Sequence, residues 1–130
     1  MSKATPFLMF TGRAEEALTF YAASVPGGRI DAIDRYGPGE AGREGSVRFA
    51  EATLAGLRVF AIDSPAVHAF DFTPSFSLML DCADLAEFER LVEVLGEGGG
   101  MLMPPGDYGF CSRYAWLNDR FGVSWQVRLA

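Results

Sequence analysis

Asn118-Asp119-Arg120-Phe121-Gly122-Val123-Ser124-Trp125-Gln126-Val127 reads as a tight turn running into a closing strand. Phe121-Gly122 supplies the bend, because glycine reaches positive φ without steric cost. Val123, Trp125 and Val127 then alternate with Ser124, Gln126 and Arg128. That two-residue period belongs to a strand with one face buried. It sets Gln126, a neutral amide, on the face opposite the core.

Working outward, Cys111 to Asn118 forms the other arm of this last hairpin. Met101 to Met103 is a short strand halted by Pro104-Pro105. Asp84-Leu85-Ala86-Glu87 opens a helix as an acidic capping box, with Asp84 as N-cap and Glu87 reaching back. Leu85, Phe88, Val92 and Leu95 make its apolar stripe, and Gly96 to Gly100 end it. Pro74 to Asp81 is the strand before it.

The first half has the same order. Pro6 to Phe10 is a short apolar strand. Ala14, Ala17, Leu18 and Tyr21 fall at helical spacing, and Pro26-Gly27-Gly28 stop the helix. Arg29 to Tyr36, Ser46 to Leu54 and Leu57 to Asp63 follow as strands. Ala55-Gly56 is a two-residue hairpin turn, and counting outward from it pairs Leu54 with Leu57, Thr53 with Arg58, Glu51 with Phe60, and Phe49 with Ile62. A shift of about seventy positions sets Phe7-Leu8-Met9 on Leu78-Met79-Leu80. A second overlay sets Gly56 to Phe60 on Gly122 to Gln126. The chain therefore reads as a duplicated β-α-β-β-β unit, with modules at about 1–64 and 74–130 and a linker over 65–73, in one domain.

The totals narrow the function. At 130 residues and 49% hydrophobic, with eleven Phe, the chain can bury a core without staples. Seventeen acidic against eleven basic residues give a net charge of −6. That balance excludes a nucleic-acid partner held by its phosphates and would suit a cationic ligand. Cys82 and Cys111 form no metal motif, and His68 is the only histidine, so structural zinc is not expected. Gly37 to Gly45 lacks the lysine and helix of a phosphate-binding loop. No secretory signal or membrane-length apolar run is visible, which sets the expectation of a cytoplasmic protein with no membrane partner.

Strand parity assigns the faces. Phe7 and Met9, Leu57, Val59 and Ala61, Phe76, Leu78 and Leu80, and Val123, Trp125 and Val127 are expected against the helices. The opposite faces then carry Leu8 and Phe10, Phe49, Glu51 and Thr53, Arg58, Phe60 and Ile62, Ser75, Ser77 and Met79, and Ser124, Gln126 and Arg128. Apolar walls with a few polar groups describe a small-molecule pocket.

The sequence resembles the vicinal oxygen chelate superfamily of glyoxalase I, extradiol dioxygenases and bleomycin-resistance proteins. It is most similar to the PhnB-like branch, often labelled demethylubiquinone methyltransferase-like. The motifs are Pro6 to Phe10, Ala14-Glu15-Glu16-Ala17-Leu18-Thr19-Phe20-Tyr21, Arg35-Tyr36-Gly37-Pro38-Gly39-Glu40, and Leu117 to Val127. The resemblance implies an α+β fold: two tandem βαβββ modules forming an open cup-shaped sheet, helices outside, usually in a homodimer. Metal-using members place a divalent ion on His or Glu from the first and last strands of each module. Those positions carry over to Pro6, Phe60, Ser77 and Gln126, none of them an imidazole or carboxylate. Zinc, nickel and iron favour imidazole, thiolate and carboxylate over a neutral amide or hydroxyl, so no metal is expected. Many relatives carry His where Phe49 stands. The methyltransferase label finds no glycine-rich turn to cradle a nucleotide-like cofactor, so no cofactor is expected either.

The expected ligand-binding residues are Leu8, Phe49, Phe60, Ile62, Ser77, Met79, Trp116 and Gln126. The leading expectation is an unknown small molecule bound without a catalytic metal. A second is a metal-independent isomerase or lyase using Glu51 as base, since an apolar wall would raise its pKa; pairing of Glu51 with Arg58 or Arg128 opposes it. A third is a non-catalytic interaction subunit. His68, in the linker, is the one ordinary titrator near neutral pH.

Overall fold

In the computed structural model, which describes residues 1–130, the chain forms two compact units, Met1–Ala69 and Phe70–Ala130. The expected linker divides between them. Each unit is one β-α-β-β-β module.

The first comprises β1 (Phe7–Phe10), α1 (Ala14–Ser24), β2 (Arg29–Arg35), β3 (Val47–Leu54) and β4 (Leu57–Asp63). Its sheet runs in the order β1-β4-β3-β2, with β1 parallel to β4 and the other pairs antiparallel. The β3–β4 hairpin has the expected register: Leu54 opposite Leu57, Thr53 opposite Arg58, Glu51 opposite Phe60. Its turn places Ala55 at φ 49° and Gly56 at φ 83°, the twist that two-residue hairpins require. The regular ladder runs to Ala50–Ala61, so the expected Phe49–Ile62 pair lies past its end. There a bulge opposite Asp34–Arg35 lets both Val47 and Ala50 turn inward.

Helix α1 buries Ala14, Ala17, Leu18 and Tyr21, and it packs on β2, β3 and β4. No side chain of its own first turn caps it. Asp63, at the end of β4, does so from 49 residues away. Its Oδ1 accepts from Gly12 N at 2.7 Å and Ala14 N at 2.9 Å, and its Oδ2 from Val47 N at 2.9 Å. One buried carboxylate thus ties the ends of β1, α1, β3 and β4 together.

The second module comprises β5 (Leu78–Asp81), α2 (Leu85–Gly96), β6 (Gly100–Gly106), β7 (Arg113–Asn118) and β8 (Ser124–Leu129), with sheet order β5-β8-β7-β6. Asp84 caps α2 by accepting from Glu87 N, while Glu87 reaches back to Ala83 N, one residue before the expected donor. Phe88, Leu91, Val92 and Leu95 are buried, and the helix packs on β6, β7 and β8. Strand β6 runs through Pro104 and Pro105 instead of stopping before them. It is the sheet's edge and its pairing is irregular, which proline tolerates.

The closing turn is held by Asp119, 3% exposed. Its Oδ1 accepts from Phe121 N and Val123 N, and its Oδ2 from Trp125 Nε1 at 2.8 Å. Gly122, at φ 89°, makes the bend and donates to the Asp119 carbonyl.

Several face assignments are corrected. Leu8 is not on the open face: it is 4% exposed, lies beside Ala61 and belongs to the helix-packed core, as does Phe10. Phe7 and Met9 lie beside Phe60 and Ile62 on the face away from α1. Pro6 to Phe10 has no alternation, so only pairing with β4 sets its parity, and a one-residue slip exchanges the faces. The strand registers therefore overlay Leu8, beside Ala61, on Leu80, beside Val127, and not on Met79. Phe76 and Leu57, expected in the core, are exposed: Phe76 sits in a turn before β5, and Leu57 opens its strand beside the hairpin turn.

Candidate functional site

Each sheet has one face on its helix and one away from it. In the second module, the face away from α2 carries Ser77, Met79 and Asp81 from the β5 segment, Ser124, Gln126 and Arg128 from β8, and Tyr114, Trp116 and Asn118 from β7. Four of the expected binding residues, Ser77, Met79, Trp116 and Gln126, come together here.

Gln126 sits at the middle, with Met79 beside it on β5 and Trp116 opposite it on β7. Tyr114 donates its hydroxyl to Gln126 Oε1 at 2.6 Å. Burial, then the neighbouring Cys111 and Tyr108, pushes the Tyr114 phenol above its ordinary value, so it is a neutral O–H donor at physiological pH. With Oε1 engaged, the half-buried amide nitrogen of Gln126 keeps two N–H donors that no group in the chain accepts. Beside it, Ser124 Oγ takes a hydrogen bond from Trp116 Nε1 at 2.9 Å and shares another with Ser77 Oγ at 2.7 Å. The indole plane is thereby held. Asp81 and Arg128 pair with each other at 2.6 Å.

The Tyr114 ring has further aromatic neighbours from the β6–β7 loop. Phe110 meets it edge-on at 4.8 Å and Tyr108 at 5.9 Å. Neither was singled out in the sequence. They lie in a glycine-rich loop with no strand or helix period to place them.

In the first module, the face away from α1 carries Phe7, Met9, Phe49, Glu51, Arg58, Phe60 and Ile62. Phe49 and Phe60 meet with ring centroids 5.0 Å apart. Arg58 lies over the Phe60 ring at 5.0 Å and donates to Glu51 Oε1 at 2.7 Å. Glu51 is thus in an ion pair, 29% exposed, and not a free carboxylate in an apolar wall. This arrangement opposes the general-base role. His68 Nε2 lies 2.8 Å from Ser64 Oγ within the same unit.

Neither face fits a transition metal. In the first module the expected positions are Pro6 and Phe60, whose side chains carry no ligand atom. In the second, Ser77 is tied to Ser124 and Gln126 to Tyr114. No three His, Cys, Asp or Glu side chains are gathered where they could hold a metal ion. The two deeply buried carboxylates, Asp63 and Asp119, each already accept three N–H bonds. No helix is long and apolar enough to cross a membrane.

The repeated βαβββ module is that of the glyoxalase/bleomycin-resistance fold, and comparison with known proteins agrees. A Frankia glyoxylase/bleomycin resistance protein/dioxygenase domain has the same fold at 15% identity, with a TM-score of 0.65 over 100% of this chain and 98% of that one. The PhnB protein from Bacillus cereus is 43% identical over 99% of this chain and 100% of its own, with a TM-score of 0.95. Protein PA1353 from Pseudomonas aeruginosa is 30% identical over 99% and 98%, with a TM-score of 0.87. The model of the family described as 3-demethylubiquinone-9 3-methyltransferase matches residues 2–128. The chain belongs to this PhnB-like family of the vicinal oxygen chelate superfamily. No curated protein matches it.

Proposed function

We propose that this protein binds a neutral small molecule on the Gln126 face of its second sheet, without a resident transition metal. The observation that carries this reading is the Gln126 amide. Its oxygen is taken by Tyr114, and its two N–H donors stand unused between Met79 and Trp116. Such a group matches a carbonyl or hydroxyl acceptor on a ligand whose apolar body rests on the thioether and indole. The charges on both open faces are paired internally, as Asp81 with Arg128 and Glu51 with Arg58. Net charge alone would suit a cation, but on these faces no unpaired carboxylate awaits one. Methyl transfer, which the family's description names, gains no support from the site. The β1–α1 turn holds a single glycine, and each sheet has one parallel pair instead of a doubly wound parallel sheet.

The test is thermal unfolding across a panel of neutral aromatic carbonyl compounds, with a chelator present. A true ligand at a hundredfold excess over its Kd adds roughly 2.7 kcal/mol of stability. Gln126→Leu should abolish the response and Tyr114→Phe should weaken it. A panel without response, or a hit that Gln126→Leu leaves intact, refutes the reading.

The first sheet favours a second, compatible role. Phe7 is 52% and Phe49 37% exposed on its open face, an apolar surface suited to association. We propose that the protein is a homodimer. Sedimentation of wild type against Phe7→Glu checks this, with a concentration-dependent dimer expected only for wild type.

A further inference from the structure

Arg43 lies in the loop between β2 and β3 and has no carboxylate partner. The setting makes this unusual: acids outnumber bases seventeen to eleven, and Arg13, Arg29, Arg35, Arg48, Arg58, Arg120 and Arg128 each lie within 4 Å of an Asp or Glu oxygen. The Arg43 guanidinium is not simply spread into solvent. A terminal nitrogen stands over Gly12, 3.8 Å from where a Cβ there would be. It borders a cavity of about 180 Å³ lined also by Thr11, Ser46, Asp63, Ser64 and Pro65. All of these belong to the first unit.

The polar groups of this cavity divide clearly. Asp63 brings a negative charge, but its oxygens already accept three backbone N–H bonds. Ser46 spends its proton on the Arg43 carbonyl. Ser64 Oγ is held by His68 and the Ala66 N–H. The donors left over are the Arg43 fork and the Thr11 hydroxyl, which no group in the chain engages. A guanidinium fork with an adjacent hydroxyl is a match for a planar or tetrahedral oxyanion. We infer that the Arg43–Thr11 cavity binds a small oxyanion, a carboxylate or a phosphate, at a site independent of the Gln126 face.

The experiment is a titration of the ¹⁵N-labelled protein with inorganic phosphate and, separately, acetate, with total ionic strength held constant by sodium chloride. Saturable shifts are expected at the Gly12, Ser46 and Ser64 amides, with a millimolar Kd. Phosphate binding tighter than acetate would point to a phosphate ligand, and the reverse order to a carboxylate. Arg43→Gln, on an exposed loop, should weaken binding at least tenfold while leaving the rest of the spectrum in place. Thr11→Val should weaken it less, and Arg113→Gln should not change it. Shifts that fail to saturate, that persist in Arg43→Gln, or that centre away from this cavity would overturn the inference.

Discussion

Replacing Asp119 by alanine should be among the most damaging single changes outside the apolar core. The carboxylate accepts three hydrogen bonds in a place water does not reach: two from the turn it closes, at Phe121 N and Val123 N, and one from Trp125 Nε1. Trp125 is 1% exposed, so water does not replace the lost acceptor. A buried donor left unsatisfied costs about 1–3 kcal/mol, and bonds to a charged acceptor lie at the upper end. The three share one residue and do not add fully, so a loss of about 4 kcal/mol is expected for Asp119→Ala. With a urea slope of roughly 1.5 kcal/mol/M, that lowers the unfolding midpoint by about 2.5 M. Asp119→Asn should cost less, about 2 kcal/mol, because one oxygen can still serve the turn while its NH2 meets the indole N–H donor to donor. Trp125→Phe removes that opposed donor, so in its background Asp119→Asn should be milder by about 1 kcal/mol or more. The assay is equilibrium urea unfolding by tryptophan fluorescence and circular dichroism. The reasoning fails if Asp119→Ala costs under about 1 kcal/mol, or if the double-mutant cycle shows no coupling.

Three further outcomes follow from the same geometry. Glu51→Gln should shift stability by no more than about 0.5 kcal/mol, since its pair with Arg58 is partly solvated; urea unfolding measures this, and a much larger loss would give the pair a structural role. Gly99→Ala should cost about 2 kcal/mol or more, because the added Cβ would collide with the Asn118 carbonyl oxygen and force β6 off β7; a wild-type melting temperature would contradict that contact. The Cys82 thiol is pushed up to about 11 by burial, reinforced by the Glu87 and Asp81 carboxylates. Raising a thiol pKa lowers the thiolate fraction, to about one part in a thousand at pH 8, so alkylation by iodoacetamide should be slow in the folded protein and rise with pH through pH 10. Rapid labelling of Cys82 at pH 7 would refute this.

How much was legible depended on whether a residue's role is set by near neighbours in the chain. The β3–β4 hairpin register could be counted from Ala55-Gly56, since a two-residue turn dictates which residues face each other. The Asp84 cap was readable for the same reason: its acceptor and donor are three residues apart. The cap of α1 was not, because Asp63 stands on another strand, nor was the hold of Asp119 on Trp125 drawn from the turn alone. Leu8 was misplaced because a wholly apolar pentapeptide carries no period. Gln126, Met79 and Ser77 were placed on one face by alternation, and the β7–β8 register adds Trp116 to it. That Tyr114 orients the amide, and that Ser124 links Ser77 to Trp116, depends on side chains from three strands.

The sequence by itself determined the duplicated βαβββ module and its family. Those follow from local periodicity, turn chemistry and residue type, which need no third dimension. Only the tertiary structure decided which face of β1 meets the helix, that Glu51 is spent on Arg58, and that the Gln126 amide keeps its N–H donors unclaimed. The physical reason is that parity, ion pairing and hydrogen-bond saturation are settled between strands, by partners far apart in the chain.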